Sequence, residues 1–373
     1  MTERESIIYK MGLSFTPGMT TAVARRIAEC DLDLERFFTI DTVELRNLLG
    51  FSCNVRLDKV QREEALFRAQ KEMDFIERHN IRVYYLGDDD YPMLLRETPD
   101  APVVLYQLGD TALDAPHVMN IVGTRRNTAN AVSFCDTFIS DLAEYFPDTL
   151  LVSGLAFGID TLAHKGALEN NLKTVAVVAH GLDTIYPAAN RELARKIIKA
   201  GGSILSEYPS GTPAYRKHFL ERNRIVAGLS ELTLVVESPI KGGAMSTANT
   251  AFSYSREVGA VPGRVSDEMS RGCNHLIRTH KASLVSNMAD VIELMGWRPA
   301  GVKVVAKQRN LFPELSGEPK EIYDVLKHST DPLTVDQLFQ QTHIHIPLLI
   351  STLTEMEFDG IVIRHPGNRY SIA

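Results

Sequence analysis

The chain has 373 residues, of which 44% are hydrophobic and 8% aromatic, and its 40 Lys and Arg against 47 Asp and Glu give a formal charge of −7. This length predicts two or three domains, while the acidic balance disfavours a protein coated in basic charge for nonspecific nucleic-acid binding and still permits a local basic groove. Four separated cysteines without a CxxC pair, and no apolar run of the ~20 residues that span a bilayer, predict a reduced, cytoplasmic protein with no membrane contact.

Residues 1–75 are predicted to form a small helical domain. Helical periodicity covers residues 22–30, with Thr20 or Thr21 as N-cap, then residues 42–49 and 55–80. Glycine turns at Gly18 and Gly50 are typical of SAM-like or helix-hairpin-helix modules. Such modules bind the DNA backbone, but they also serve as protein-contact bundles, and few lysines flank these turns.

Residues 76–297 are predicted to form an extended Rossmann-like, doubly wound α/β domain. Strands at 81–86 and 103–109 precede the main sheet, which begins at 118–122. Further strands are predicted at 150–152, 174–179, 203–206 and 232–237, and helices at 127–145, 159–170, 188–200, 217–229 and 246–258. Alternating strands and helices favour a mostly parallel sheet with helices on both faces.

Residues 298–318 are predicted to be a linker, and residues 319–373 a winged helix. Helices at 319–327, 334–340 and 346–359 come before a hairpin whose turn is Pro366-Gly367-Asn368. The third helix is poor in basic residues. A protein-contact role without DNA contact therefore stands beside DNA binding for this domain.

Glycine loops follow several strands of the predicted sheet. Gly123 follows the first main strand, Gly154 the next, Gly181 the third, and Gly242 and Gly243 a later one. Glycine lets a ligand approach the backbone, and helix N-termini offer unpaired N–H groups, so these loops predict one phosphate-binding surface. The alternative for Gly154 is a tight turn between strand and helix that contacts no ligand.

Two nucleotide-binding patterns are absent. Lys241 precedes the glycines instead of following them, so the loop is not a P-loop. A nicotinamide site is disfavoured because the strand after Gly154 ends in His180 and not in an acidic residue.

Residues 216–224 are the densest basic segment of the predicted sheet domain. Arg216, Lys217, Arg222 and Arg224 surround Phe219. Cations neutralise phosphates and an aromatic face stacks on an unpaired base, a combination that suits single-stranded nucleic acid. The alternative is a solvated helix start with Phe219 in the core.

No catalytic set emerges. Ser153 is not in a Gly-x-Ser-x-Gly elbow, and the glycine loops have no paired carboxylates or histidine-rich spacing beside them. We therefore predict no enzyme activity, no cofactor and no metal.

Several ordered motifs resemble the DNA-processing protein A family (DprA, also called Smf). They are Val122-Gly-Thr-Arg125, Ser153-Gly-Leu-Ala-Phe-Gly-Ile-Asp-Thr-Leu-Ala-His164, Gly181-Leu-Asp-Thr-Ile-Tyr-Pro187, Leu205-Ser-Glu-Tyr-Pro209, Phe219-Leu-Glu-Arg-Asn-Arg-Ile-Val-Ala-Gly-Leu-Ser230, Gly242-Gly-Ala-Met-Ser-Thr-Ala248 and Val261-Pro-Gly263. The family often has proline after the phenylalanine of the fifth motif, where Leu220 stands here.

The resemblance implies a non-enzymatic protein that binds single-stranded DNA and dimerises through its Rossmann domain. It further implies a role in loading the RecA recombinase onto DNA coated by single-strand-binding protein, in natural transformation or recombination. The nucleic-acid-binding residues expected from loops and resemblance are Gly123, Thr124, Arg125, Ser153, Gly154, Gly181, Lys217, Phe219, Arg222, Asn223, Arg224, Gly242 and Gly243. One of Arg222 and Arg224 is expected to anchor its helix instead, because residues two apart cannot share a helical face.

Two other functions are weighed against this one. A nucleotide-processing enzyme resembling the phosphoribohydrolases would need a glutamate where Asn249 and Thr250 stand, and without it glycosidic hydrolysis lacks an acid or base. A sequence-specific regulator would need a more basic third helix in the winged helix.

Overall fold

A computed structural model describes residues 2–30, 32–50, 58–299, 315–329, 331–365 and 368–372. The chain forms two compact units, residues 1–301 and 302–373. In the described residues, no helix is both long enough and apolar enough to cross a membrane. Residues 55–57 of the predicted long helix, most of the predicted linker, and Pro366 and Gly367 of the predicted turn lie outside the described residues.

In the described residues, five helices open the first unit. They are α1 (Glu3–Phe15), α2 (Thr21–Glu29), α3 (Leu34–Thr39), α4 (Thr42–Leu49) and α5 (Lys59–His79). Thr20 is the N-cap of α2, because its side chain accepts a hydrogen bond from the backbone N–H of Val23. The helices share one apolar cluster with Tyr85, Val104 and Tyr106 of the sheet. Helix α5 runs past residue 75, and its buried residues share this cluster with the sheet. The domain boundary at residue 75 stays a prediction.

A nine-stranded sheet forms the body of the first unit. Its strands are β1 (Arg82–Tyr85), β2 (Val104–Leu108), β3 (His117–Val122), β4 (Thr149–Ser153), β5 (Lys173–Val177), β6 (Ser203–Ser206), β7 (Leu232–Val235), β8 (Glu257–Ala260) and β9 (Ser283–Leu284). Their order is β1-β2-β6-β5-β4-β3-β7-β8-β9, antiparallel at β1-β2 and β2-β6 and parallel elsewhere. The predicted mostly parallel α/β sheet is confirmed.

Helices cover both faces of this sheet. They are α6 (Met93–Arg96), α7 (Ala129–Tyr145), α8 (Ile159–Glu169), α9 (Arg191–Lys199), α10 (Arg216–Gly228), α11 (Gly243–Ser253), α12 (Arg271–Arg278) and α13 (Met288–Met295), with short 3-10 turns at Ala188–Asn190 and Glu268–Ser270. Buried residues of α7, α8 and α13 share one core cluster, and those of α10, α11 and α12 share another. Successive β4 residues alternate between these clusters, since Leu150 and Val152 face one and Leu151 the other.

The helix predicted over residues 246–258 is wrong at both ends. It begins at Gly243 and ends at Ser253, and residues 257–260 form β8. The helix stops where Ser255 takes a left-handed φ of 58°. Gly259 then passes so close to Val285 that a Cβ there would lie 2.8 Å from Val285 Cγ2. This packing depends on β9, which is distant in sequence.

The second unit is a winged helix. Its elements are α14 (Glu318–Lys327), β10 (Leu333–Thr334), α15 (Val335–Thr342), α16 (Ile346–Phe358), β11 (Val362–His365) and β12 (Arg369–Ile372). The strands pair in the order β10-β12-β11. The three helices and the hairpin are confirmed, and the two-residue strand β10 is an addition to the prediction.

Candidate nucleic-acid interface

A cleft of about 810 Å³ lies where β3 and β7 end side by side. From β3 the chain crosses to β4 on one side, and from β7 it crosses to β8 on the other. This reversal is the topological switch point at which doubly wound sheets bind ligands. The cleft is lined by Val122, Gly123, Thr124, Arg125, Arg126, Gly154, Ala156, Asp160, Tyr186, Ala214, Arg216, Phe219, Leu220, Arg222, Asn223, Val226, Ser238, Pro239, Lys241, Gly242, Gly243, Ala244, Ser246, Thr247 and Met269.

The cleft is basic although the chain is acidic. Five arginine or lysine residues and one carboxylate, Asp160, line it. Arg125, Arg126, Arg216 and Lys241 are exposed, and none of them forms an ion pair with another described residue. These four cations can therefore contact an anionic ligand without first breaking a salt bridge.

Arg222 forms the floor of the cleft. Its Nη1 donates to the carbonyl of Val177 at the end of β5, and its side chain lies against Gly154, where a Cβ would be 2.1 Å from Nη1. Burial lowers the pKa of Arg222, and the charge of Asp160 opposes that shift. Arg222 therefore ties α10 to the sheet and adds a fixed positive charge to the floor of the cleft.

Asp160 is the buried partner of that charge. Burial raises the pKa of Asp160, while Arg222 and the backbone N–H groups of Ala156 and Gly154 stabilise the ionised form. The distance from the Ala156 nitrogen to Asp160 Oδ2 is 3.3 Å. Within the part of the chain that the structure describes, the only carboxylate lining the cleft is thus held by its own loop and stabilised by the charge of Arg222.

Two aromatic rings stand at the side of the cleft. The rings of Phe219 and Tyr186 lie 5.6 Å apart at 60°, and Arg125 Cζ lies 5.6 Å from the centre of the Phe219 ring. Phe219 is half-buried and Tyr186 is 50% exposed. Arg125 lies over the Phe219 ring and Tyr186 is the more exposed of the two, and aromatic rings at such a position can stack on an unpaired base.

His180 holds the backbone of Tyr186. Its Nε2 accepts from the Tyr186 N–H at 3.1 Å, and its Nδ1 lies 2.8 Å from the Gly181 carbonyl oxygen. These partners require a neutral imidazole with the proton on Nδ1. Burial lowers the pKa of His180, which favours that neutral form.

Close backbone packing shapes the loop between β3 and α7. A Cβ on Gly123 would lie 2.4 Å from Ile159 Cγ1, and one on Gly158, at φ 77°, would lie 2.1 Å from the Thr124 carbonyl oxygen. The backbone N–H of Thr124 donates to the Glu237 carbonyl at 2.6 Å. Glycine is therefore needed where the β3 loop, α8 and the end of β7 meet.

The N-terminus of α11 closes the opposite side. Gly242 is its N-cap, and a Cβ on Gly243 would meet no atom within 4 Å, so this end of the helix is open toward the cleft. Asn223 Nδ2 lies 3.5 Å from the Gly243 carbonyl oxygen and links α10 to α11. Unpaired N–H groups at such a helix end favour an anion.

Nine of the thirteen expected residues line the cleft and four do not. Ser153 is fully buried and its Oγ donates to the Ile121 carbonyl at 2.8 Å. Gly181 is buried against the Pro209 and Ser210 backbone. Arg224 pairs with Glu207 and lines a separate cavity near Thr20. We infer structural roles for these three positions.

Lys217 lies beside the cleft. Its side chain is 82% exposed and pairs with Glu221 at 2.9 Å, which raises the pKa of Lys217. Arg216, one residue earlier, lines the cleft. The expectation that one of Arg222 and Arg224 anchors α10 is too narrow, since both are held by buried partners.

Among the lining residues that the sequence did not indicate as site residues are three cations and one aromatic side chain. Arg126, Arg216 and Lys241 adjoin predicted elements, and Tyr186 lies in a quoted motif. The available signal was charge: Arg126 and Lys241 stand beside glycine loops, and Arg216 belongs to the basic segment. Selecting Arg216 over Lys217 required the start of α10, which fixes the direction of each side chain.

The cleft rim is joined to the N-terminal helices. Glu72 of α5 is buried and accepts from the backbone N–H of Ser210 at 2.8 Å and from Ser210 Oγ at 2.6 Å. Ser210 lies in the loop that leads to Arg216. The position of this part of the rim is therefore coupled to α5.

Comparison with known proteins gives consistent results. The sequence profile described as DNA recombination-mediator protein A matches residues 82–296, and that of the DprA winged helix domain matches residues 306–368. Protein Smf of Synechocystis sp. is 31% identical over 97% of this chain and 98% of its own length.

Two solved structures are similar. The X-ray structure of DNA processing protein A from Streptococcus pneumoniae has a TM-score of 0.64 and 32% identity, covering 79% of this chain and 98% of its own. A structure of the Helicobacter pylori protein, described for its single-stranded DNA binding mode, has a TM-score of 0.51 and 31% identity, covering 57% of this chain and 94% of its own. Because the first profile spans more than half of the sequence and the fold agrees, this chain belongs to the DNA recombination-mediator protein A (DprA/Smf) family.

Proposed function

We propose that this protein binds single-stranded DNA in the cleft at the ends of β3 and β7. The observation that carries the proposal is the cleft's composition: among the described residues, four exposed cations without an ion pair and the half-buried ring of Phe219 line it, with one buried carboxylate. Cations contact phosphates and release counterions, and aromatic rings stack on bases that a duplex keeps hidden. The Helicobacter pylori relative, which binds single-stranded DNA, supports the same assignment.

The binding mode follows from the positions of these groups. Phosphates are expected at Arg125, Arg216 and the N-terminus of α11, while a base stacks on Phe219. Gly243, where a Cβ would meet no atom within 4 Å, leaves space for the DNA backbone to reach the helix end. Contacts of this kind read no base edges, so the expected binding is largely independent of sequence.

We further propose that the protein acts without catalysis. Among the described residues, Asp160 is the only carboxylate lining the cleft; it accepts from the Ala156 N–H, and the charge of Arg222 favours its ionised form. Asn249, which stands where a phosphoribohydrolase needs its glutamate, donates to the Met245 carbonyl and accepts from Lys281. These contacts favour a binding surface over a hydrolytic site.

Within the cell, the protein is proposed to be a cytoplasmic recombination mediator. It would form a homodimer, help load RecA onto DNA and act on strands coated by single-strand-binding protein, in natural transformation or in recombination. Family membership supports this role. The helical residues 1–75 are proposed to be SAM-like.

Fluorescence anisotropy tests the DNA-binding proposal. A labelled oligo-dT should bind more tightly than a duplex of equal length, and added salt should weaken that binding. Equal affinity for both, or no binding, would contradict the proposal and justify assays of nucleoside monophosphate hydrolysis.

A second experiment tests the mediator role. RecA filament formation on single-stranded DNA pre-coated with single-strand-binding protein should start faster when the protein is added. A variant with Arg216→Ala, which is expected to bind DNA poorly, provides the control. Tight DNA binding without any acceleration would separate the two parts of the proposal.

A further inference from the structure

The loop between β5 and the 3-10 turn at Ala188–Asn190 brings one aromatic ring to the cleft. Among residues 178–187, all within the described part of the chain, only Tyr186 lines the cleft. Its side chain is 50% exposed, and its ring lies 5.6 Å from the ring of Phe219. The place of this ring therefore depends on what fixes the end of the loop.

The start of the loop is attached to the neighbouring loop after β6. The Gly181 N–H donates to the Thr212 carbonyl at 2.9 Å, and Asp183 Oδ1 accepts from the Gly211 N–H at 2.9 Å. These two attachments lie five and three residues before Tyr186. The backbone of Tyr186 itself is held by a different group.

That group is the imidazole of His180. The Tyr186 N–H donates to its Nε2 at 3.1 Å, and its Nδ1 donates to the Gly181 carbonyl at 2.8 Å. Ser206 Oγ on β6 donates to the His180 carbonyl at 2.6 Å, so the histidine is itself fixed to the sheet. Its side chain is 1% exposed, and burial lowers the pKa of His180, which keeps Nε2 unprotonated at neutral pH.

We propose that His180 is a positioning residue for single-stranded DNA: through the backbone of Tyr186 it holds that ring at the cleft, where the ring stacks on a second base beside the one on Phe219. This inference rests on the proposed function of the cleft. A ring that is already held in place loses less conformational freedom on binding, so its positioning raises the affinity. One rigid imidazole supplies both the donor and the acceptor that join the two ends of the loop.

Substitutions at His180 in the full chain test this role. His180→Leu has no acceptor for the Tyr186 N–H, and it should weaken binding of labelled oligo-dT by at least about fivefold, the lower end of the effect of losing one stacked base. His180→Gln keeps a carbonyl oxygen near the position of Nε2, and it should bind at least about threefold more tightly than His180→Leu. Circular dichroism checks the folding of each variant. If His180→Leu does not fold, His180→Asn replaces it, because its shorter side chain keeps a donor near the position of Nδ1 and has no acceptor at that of Nε2.

A double-mutant cycle shows whether His180 acts through Tyr186. In a Tyr186→Leu background, His180→Leu should change the affinity for oligo-dT by less than about twofold, because the ring that it positions is absent. His164→Leu is the matched control. It removes another buried imidazole, which lies against Thr174 and does not line the cleft, and it should leave the affinity within about twofold.

Hydrogen exchange gives a readout that needs no DNA. The Tyr186 amide should exchange at least about tenfold faster in His180→Leu than in the unchanged protein, because its acceptor is lost. In His180→Gln the exchange should be slowed again.

The outcomes separate this inference from the proposed function. If the unchanged protein does not bind oligo-dT, the proposed function fails and this inference fails with it. If the unchanged protein binds and His180→Leu binds equally well, this inference alone is overturned. Equal losses in His180→Leu and His180→Gln would exclude the hydrogen bond as the cause, and an undiminished loss in the Tyr186→Leu background would show that His180 does not act through Tyr186.

Discussion

At the scale of single residues, Arg216 and Lys217 are adjacent cations with different surroundings. Arg216 lines the cleft, and Lys217 pairs with Glu221 outside it. Replacing Arg216 by alanine should weaken binding of oligo-dT and lower the slope of log K against log salt by about 0.7, the value for one lost phosphate contact on a single strand. Anisotropy titrations at several salt concentrations measure both quantities.

Lys217→Ala is the matched control for this prediction. It removes the same charge one residue away, so a change in long-range attraction would appear in both variants. For Lys217→Ala, the slope of log K against log salt should stay near that of the unchanged protein. A larger effect from Lys217 than from Arg216 would place the DNA along the outer side of α10 and contradict the cleft.

His164 predicts a pH dependence of stability. It is fully buried, its Nδ1 lies 2.8 Å from Thr174 Oγ1, and that hydroxyl donates to the Leu151 carbonyl, so His164 is neutral with the proton on Nδ1. Burial, and then the charge of Arg222, lower the pKa of His164 from 6.5 to about 3. Below pH ~6.5 the unfolded chain therefore takes up a proton that the folded chain refuses.

The free energy of unfolding should accordingly fall with acid by up to about 1.4 kcal/mol per pH unit between the two pKa values. Chemical denaturation of the unchanged protein and of His164→Gln, measured from neutral pH down to pH ~4, isolates this contribution. The variant should show a shallower dependence, whatever its stability at neutral pH. Parallel curves would mean that His164 is protonated in the folded state.

At the scale of elements, glycines at the helix starts have unequal roles. Gly158 begins α8 with φ 77° and no room for a Cβ, whereas Gly243 begins α11 with open space around it. Gly158→Ala should destabilise the fold by more than about 1 kcal/mol, because alanine is strained at positive φ and would also collide with the β3 loop. Thermal unfolding measures the difference.

Gly243→Ala supplies the comparison for that substitution. Alanine fits the helix start and adds no contact, so the melting temperature should be unchanged or slightly higher. If both variants melt alike, the close approach of α8 to Thr124 does not stabilise the fold.

The sequence predicted most elements because their patterns are local. The periodicity of residues 159–170 and the buried run at 232–237 correspond to α8 and β7. Strand β8 was missed because its four residues become a strand only by pairing with β7 and β9. Site residues were missed for the same reason. Arg224 forms an ion pair with Glu207 of another segment, and this contact exists only in the folded chain.

At the scale of the whole molecule, the exposed cations of the cleft all belong to the first unit. The cleft lies within residues 122–269, while residues 315–372 carry an excess of four negative charges. A chain ending at residue 301, the limit of the first unit, should therefore retain affinity for oligo-dT within about twofold, since the phosphate contacts remain. Anisotropy of the shortened and full chains side by side makes the comparison.

The same comparison tests the winged helix. If the shortened chain loses affinity at least about tenfold, the winged helix contributes DNA contacts. Circular dichroism of the shortened chain should first show that its helices and strands are intact.

The hydrogen bonds between Glu72 and Ser210 have a kinetic consequence. Both donors of Ser210 are satisfied by a side chain of α5, so the amide of Ser210 can exchange with solvent only when this loop separates from that helix. The hydrogen-exchange rate of the Ser210 amide therefore reports how often the N-terminal helices detach from this loop. If a ligand bound in the cleft slows this exchange, its binding strengthens the attachment of the N-terminal helices.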